Sequence, residues 1–162
     1  GDAEGEFLST RSWRNIRDVI GVFEDSHIGL QTYWYREDLI SKNELRAGKE
    51  ENALEVFTYC GPGIFYNKQT GRIHARLAHT TDERPPLQPY RGTTDPRNIA
   101  LVIAPFRSGP LSIDQGMHLR IRNLVIRGGG YNSVKLDYAV NVEFEYVTIF
   151  GGTYCLRAKN SG

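Results

Sequence analysis

The sequence predicts a mainly β protein whose C-terminal part, from residue 98 onward, is a parallel β-solenoid preceded by a segment of mixed structure. Three observations carry this. Seventeen glycines and nine tyrosines against a single methionine favour turns and strands over a helical bundle. Within the C-terminal part, apolar residues stand two apart, the period of a strand with one buried face. Those runs recur at steps of 22 to 23 residues, the mark of a repeat architecture.

Composition sets the bounds. With 162 residues, 40% hydrophobic and 24% charged, folding can bury roughly 68–70% of the unfolded chain's surface, so no disulfide framework or metal staple is required. Cys60 and Cys155 lie far apart with no Cys-x-x-Cys, which argues against a cysteine-rich scaffold and a zinc ribbon. Twenty basic against nineteen acidic side chains leave a net charge of +1, so no global field draws the chain to nucleic acid or to an anionic membrane surface. The longest apolar run, around Ile99 to Pro105, is too short for a membrane span or a signal-peptide core. The chain opens at Gly1 and is expected to stop inside a repeat, so it reads as a fragment of a longer protein.

Residues 1–54 read as a capping or inserted segment. Trp13, Ile16, Val19 and Ile20 fall at helical spacing behind the cap candidates Ser9 and Thr10, with Gly21 at the end, which predicts a short helix over 9–21. Ile28 to Tyr35 is aromatic and extended in character, and Arg36 to Glu51 is charged, helical or loop. Over 55–79 the runs Glu55 to Tyr59, Ile64 to Tyr66 and Arg72 to Leu77 are short β-type segments. The break from Asn67 to Gly71 is a hairpin loop, with Gly71 in place for the left-handed residue of a type I turn and bulge. Ile64 to Asn67 is therefore expected to pair with Arg72 to Leu77. Residues 80–97, rich in Pro, Thr, Asp and Arg without periodicity, read as a linker loop.

Residues 98–162 repeat. Leu101, Leu124 and Val147 align at steps of 23, as do Ile103, Ile126 and Ile149. Past the glycine turns Leu111, Val134 and Leu156 align, then Ile113, Leu136 and Ala158, with Leu119 matched to Val142 and Ile121 to Phe144. At 40% hydrophobic content an aligned trio is apolar by chance about 0.06 of the time, so four such trios are hard to dismiss. No unit buries its apolar face alone. Stacked in parallel, equivalent residues of successive coils lie about 4.8 Å apart and form internal ladders. The alternative is a β-sandwich or meander, which also alternates but supplies no reason for equivalent strand sets at constant spacing.

The runs Leu119 to Gly130, Ser133 to Asp137, Val140 to Gly152 and Tyr154 to Ser161 resemble right-handed parallel β-helix proteins of the pectin-lyase-like group, over about residues 98–162. The hairpin run Gly63 to His74 is similar to a segment that often precedes the repeats in large bacterial β-helix proteins. The resemblance implies a right-handed parallel β-helix, a polysaccharide partner and a secreted, periplasmic or cell-surface location. It implies two classes of function: a polysaccharide lyase or glycoside hydrolase, or a non-catalytic carbohydrate-binding or structural solenoid such as an adhesin or tailspike. It carries over no catalytic residue, because the hydrolases' Asn-Thr-Asp, Asp-Asp and Gly-His-Gly and the pectate lyases' Trp-Ile-Asp-His and paired-arginine motifs do not occur here.

Strand parity still names a surface. With Val134 and Leu136 inward, Lys135 and Asp137 point out, beside Ser112 and Asp114 one coil earlier and Arg157 and Lys159 one coil later. For a lyase on a uronic-acid polymer, Lys135 and Arg157 are the catalytic candidates to remove the proton alpha to the carboxyl. Lys159, Asp137 and Asp114 are substrate-binding candidates, and calcium held by the carboxylates is a candidate cofactor to neutralise the substrate carboxyl. The competing reading is solvated ion pairs on an exposed sheet, each contributing about a few tenths of a kcal/mol. Tyr33, Trp34 and Tyr35 form a candidate stacking platform for sugar rings, or else pack inside the capping segment. His118 reads as a turn histidine, and no pair among His27, His74 and His79 has metal-site spacing.

Overall fold

The computed structural model describes residues 5–23, 26–42, 58–81 and 89–162. The described chain is mainly β, in the order β1 (Glu6–Leu8), β2 (Ile16–Phe23), β3 (Ser26–Gly29), β4 (Gln31–Tyr33), α1 (Arg36–Ile40), β5 (Gly63–Asn67), β6 (Arg72–Arg76), a 3-10 turn at Pro96–Asn98, β7 (Ala100–Pro105), β8 (Leu111–Asp114), β9 (Met117–Arg127), β10 (Asn132–Asp137), β11 (Val140–Phe150) and β12 (Tyr154–Lys159). It divides into two units: residues 1–14 with 29–100, and residues 15–28 with 101–162.

The first unit is built on a sheet ordered β1-β6-β5-β4. β1 and β5 flank β6 antiparallel, and β4 joins β5 in parallel. Hairpin β5–β6 forms where the loop chemistry places it. Asn67 Oδ1 accepts from the N–H groups of Gln69 and Thr70 at 2.9 and 3.2 Å, the Gly71 N–H donates to the Asn67 carbonyl at 2.8 Å, and Gly71 adopts φ +70. Ile73, Ala75 and Leu77 alternate into the core with Ile64, Leu39 and Tyr59, the strand period that the sequence shows. Gly63 is demanded by close approach, since a Cβ there would stand 2.4 Å from the Gln31 carbonyl oxygen. Helix α1 falls in the stretch read as helical or loop. Arg76 satisfies carbonyls at its C-terminal end, donating to Leu39 O at 2.9 Å and Ser41 O at 2.6 Å, as basic side chains do at helix ends. Of the run Glu55 to Tyr59, all but Thr58 and Tyr59 lies outside the described residues, as do residues 43–51 of the charged stretch.

Within the segment read as a linker, the described ends bond to one another. The Tyr90 N–H donates to Thr80 Oγ1 at 2.8 Å and the Thr80 N–H returns to the Tyr90 carbonyl at 3.3 Å. Asp95 then caps the 3-10 turn by accepting from the Arg97 N–H at 2.9 Å.

The helix expected over 9–21 is not formed. Asn15 takes a left-handed φ of 51, and β2 starts at Ile16, in a sheet ordered β3-β2-β7. Sequential Val19 and Ile20 are both buried, at 0% and 4% exposure, where an amphipathic helix would need its apolar stripe at steps of three and four. The β-branched Ile16, Val19, Ile20 and Val22 suit an extended backbone packed on both faces. Helical spacing among Trp13, Ile16 and Ile20 was local coincidence that strand pairing overrode.

In the second unit β8, β10 and β12 form one parallel sheet and β9 and β11 another. The registers are those of the repeat: Val134 pairs with Leu111 and Leu156, Leu136 with Ile113 and Ala158, and Leu119, Ile121, Leu124 and Ile126 with Val142, Phe144, Val147 and Ile149. The backbone repeats as well as the side chains. Left-handed φ values recur at Gln115, Tyr138 and Asn160, at His118 and Asn141, and at Asn123 and Tyr146, so the chain turns its corners at equivalent positions. Ile126, Val134, Leu136 and Ala139 make the buried centre, with Leu111, Ile113, Val142, Phe144, Val147 and Ile149 packed on it.

One column breaks. Leu101 and Ile103 lie on β7, whose sheet partner is β2, so Ile103 does not continue the hydrogen-bonded pair of Ile126 and Ile149. β7 takes β2 as its strand neighbour and lies at the outside of that sheet. β7 still reaches the glycine turn after β9, where Val102 Cγ1 lies 3.3 Å from where a Cβ on Gly128 would stand.

Candidate functional site

The two outward columns exist as strand registers. Lys135 stands between Ser112 and Arg157, and Asp137 between Asp114 and Lys159. Within this face Lys135 Nζ pairs with Asp137 Oδ2, two residues along the same strand and on the same side of the pleat. Ser112, Asp114, Arg157 and Lys159 are exposed, and Lys135 and Asp137 are partly covered. Arg157 has no carboxylate partner among the described residues; its guanidinium carbon instead sits 5.7 Å from the centroid of the Tyr131 ring.

That contact leads to a feature that the inward-ladder reading missed. Phe106 and Tyr131, in the turns before β8 and β10, and Tyr154, the first residue of β12, stack in a row. Their ring centroids are 5.9 Å apart for Phe106 and Tyr131 and 5.4 Å for Tyr131 and Tyr154, tilted and edge-to-face, the arrangement aromatic quadrupoles prefer. Arg17 lies over Phe106 at 6.0 Å. Phe106 and Tyr154 are 43% and 48% exposed, so the stripe is a surface with two guanidinium groups resting on it. The sequence signal is partial: Tyr131 and Tyr154 stand 23 apart, but past the glycine turns the strands step by 22 and Tyr154 pairs with Asn132, so the two rings are not register equivalents. Comparison with family models, curated proteins and solved structures found no match.

The remaining candidates separate by burial. Tyr33 is in the core of the first unit, 6% exposed. Its hydroxyl donates to Gly61 O at 2.7 Å and accepts from the Cys60 N–H at 2.8 Å, and its ring lies parallel to Tyr59 with centroids 6.0 Å apart. Burial pushes both phenols well above their ordinary range. Tyr33 is thus a packing residue, and only Trp34 and Tyr35 of the aromatic triplet are exposed. The strand period accounts for this, as Tyr33 ends β4 facing inward while the chain leaves the sheet at Trp34.

Calcium does not fit the columns. The ion takes six to eight oxygens, whereas Asp114 and Asp137 are the only carboxylates of the two columns and Lys135 already engages Asp137. Among the described residues no group of three or more His, Cys, Asp or Glu is placed to hold a metal ion. His118, at a left-handed corner, is 3.1 Å from Asn141 Nδ2 through its Nδ1, on the wall of a groove of about 660 Å³ that Arg120 and Glu143 also line. His27 stacks on Phe150 at 3.6 Å, and its Nε2 accepts from Arg127 Nε at 2.9 Å. No described helix is long and apolar enough to cross a membrane.

Proposed function

We propose that residues 98–162 are successive coils of a right-handed parallel β-helix of the pectin-lyase-like kind, in an exported protein, and that the face of β8, β10 and β12 binds an acidic polysaccharide. The 23-residue strand registers and the repeated left-handed corners support the coil reading. One observation carries the binding reading: Arg157, which stands in the Lys135 column without a carboxylate partner among the described residues, is laid on Tyr131 beside exposed Tyr154. A guanidinium resting on a ring is weakly hydrated and presents a planar fork that matches a carboxylate, while an aromatic face packs against the apolar face of a pyranose. Three cations, Lys135, Arg157 and Lys159, stand with two carboxylates, Asp114 and Asp137, in these columns, which favours a polyanion over a neutral glycan.

Within this reading Lys135 and Arg157 hold substrate carboxylates and do not abstract a proton. Lys135 Nζ is engaged by Asp137, and a guanidinium offers donors only. The test is electrophoresis of the protein through gels containing polygalacturonate or dextran, with ultraviolet absorbance of unsaturated uronate and reducing ends read from the same mixtures. Retardation by polygalacturonate alone, weakened by salt, is expected. New absorbance would make the protein a lyase and new reducing ends alone a hydrolase, whereas migration unaffected by either polymer overturns the carbohydrate reading.

A further inference from the structure

We propose that Glu6 and His74 form a carboxylate–histidine dyad in the first unit, in which Nε2 of His74 is a nucleophile toward small carboxylic esters. Nδ1 of His74 lies 2.8 Å from Glu6 Oε1. The Glu6 side chain is fully buried and that of His74 is 12% exposed, so the pair leads from the interior to solvent. A carboxylate only accepts, so Nδ1 carries the proton and Nε2 keeps its lone pair in the neutral ring. Nε2 has no protein partner among the described residues. Burial would push the Glu6 carboxyl up, but Arg36, bonding at 2.7 and 2.6 Å, and His74 outweigh it and keep the group ionised. Arg36 alone supplies the counter-charge of Glu6, so charge balance does not call for His74. The contact fixes the tautomer and direction of the ring instead, the part a carboxylate plays beside a catalytic histidine.

The sheet builds the dyad. On the β1–β6 register Glu6 stands opposite Arg76 and Leu8 opposite His74, so Glu6 is a diagonal neighbour of His74 on the same face, within reach of a long side chain. α1 supplies Arg36. Arg76, on the same face, is turned to Leu39 O and Ser41 O, and Asp38 of α1 accepts from the Thr58 N–H at 3.2 Å, which leaves Glu6 as the group that addresses His74. On β5 Phe65 is the opposite neighbour of His74, with ring centroids 5.5 Å apart. The imidazole is thus flanked across the strands by two apolar side chains, Phe65 half-buried and Leu8 38% exposed. They offer apolar contact to an acyl chain whose carbonyl meets Nε2.

The chemistry needs water and nothing else. Nε2 adds to the ester carbonyl carbon, the C–O bond to the alcohol breaks, and the alcohol oxygen takes a proton from solvent. The acyl group is left on Nε2 of a ring that is now cationic, and Glu6 stabilises that cation through Nδ1–H. Water then adds to the acyl carbon, the bond to Nε2 breaks and the carboxylic acid leaves. One proton returns to solvent, which balances the one taken by the alcohol oxygen. His74 is the catalytic residue and Glu6 a positioning residue.

The test is hydrolysis of p-nitrophenyl butyrate by the 162-residue chain, with peptide mapping by mass spectrometry of protein quenched in acid during turnover. The rate should exceed that of free imidazole matched to the protein's histidine content, and the trapped butyryl group should map to His74. His74→Gln, whose amide can still donate to Glu6, should lower the rate about tenfold or more. His27→Gln, His79→Gln and His118→Gln together should leave it unchanged. Glu6→Gln should lower kcat with little change in KM, because the cationic intermediate loses its counter-charge, and Glu6→Asp, which draws the carboxylate back from Nδ1, gives the same readout should Glu6→Gln unfold. Thermal unfolding checks each variant. A wild-type rate no greater than that of the free imidazole overturns the proposal. So does a rate indifferent to His74→Gln, or a butyryl group on another residue. Wild-type kcat in a folded Glu6 variant overturns the dyad and leaves His74 an ordinary surface histidine.

Discussion

Arg120 and Glu143, 23 residues apart in sequence, stand opposite each other on β9 and β11 with Nε 2.5 Å from Oε2. Arg122 and Glu145 repeat the contact two residues on at 2.6 Å. Both pairs are about half exposed, so their weight is in register more than in stability. A double-mutant cycle with Arg120→Ala and Glu143→Ala, followed by thermal unfolding of dilute protein, should return a coupling of about 0.2–1 kcal/mol. A coupling well above this would mean that the pair is shielded from solvent.

Ile126 lies at the buried centre of the second unit, paired with Ile149. Ile126→Asp places an unpaired carboxylate there, at a cost on the order of 3 kcal/mol or more, a large fraction of a small domain's stability. Loss of the cooperative unfolding transition, or aggregation on expression, is the expected outcome. An unchanged melting temperature would place Ile126 on the surface.

Glu6 makes a pH-dependent contribution. Burial alone would push its carboxyl up, but the two-pronged bond from Arg36, at 2.7 and 2.6 Å, and the contact with His74 Nδ1 at 2.8 Å outweigh it, holding the group at about 2 against an ordinary 4.5. A depressed folded-state value means that the stabilisation is complete above pH 4.5 and is lost as the pH falls toward 2. Acid titration followed by circular dichroism should show stability falling across that window by an amount on the order of 3 kcal/mol. Glu6→Gln should remove most of that slope and lower stability at neutral pH, because Arg36 loses its buried counter-charge.

Arg157→Ala and Lys135→Ala should each weaken retention by polygalacturonate about tenfold or more, near 1.4 kcal/mol, and Tyr154→Ala should weaken it without changing the salt dependence. Melting temperatures should barely move, since exposed pairs contribute about 0–1 kcal/mol. Wild-type retention in the Arg157→Ala, Lys135→Ala double variant would place any polysaccharide site off this face.

The sequence alone determined the registers. Period-two alternation sets which side of a strand is buried, and a one-residue slip would expose every apolar residue of it, so the steps of 23 and 22 residues were enough to pair Val134 with Leu111 and Leu156 and to place Lys135 and Asp137 outward between their neighbours. The hairpin at Asn67 to Gly71 was legible for a similar local reason, its turn chemistry. The tertiary structure decided what depends on partners distant in the chain: that Ile16–Phe23 is a strand because β7 offers it an edge, that Ile103 leaves its column, that Tyr33 turns inward onto Tyr59, that Glu6 finds Arg36 and His74, and that Arg157 lies on Tyr131. Local patterning specifies how a strand faces, but which free edge or ring it meets follows from the competition among all the strands for a limited number of neighbours.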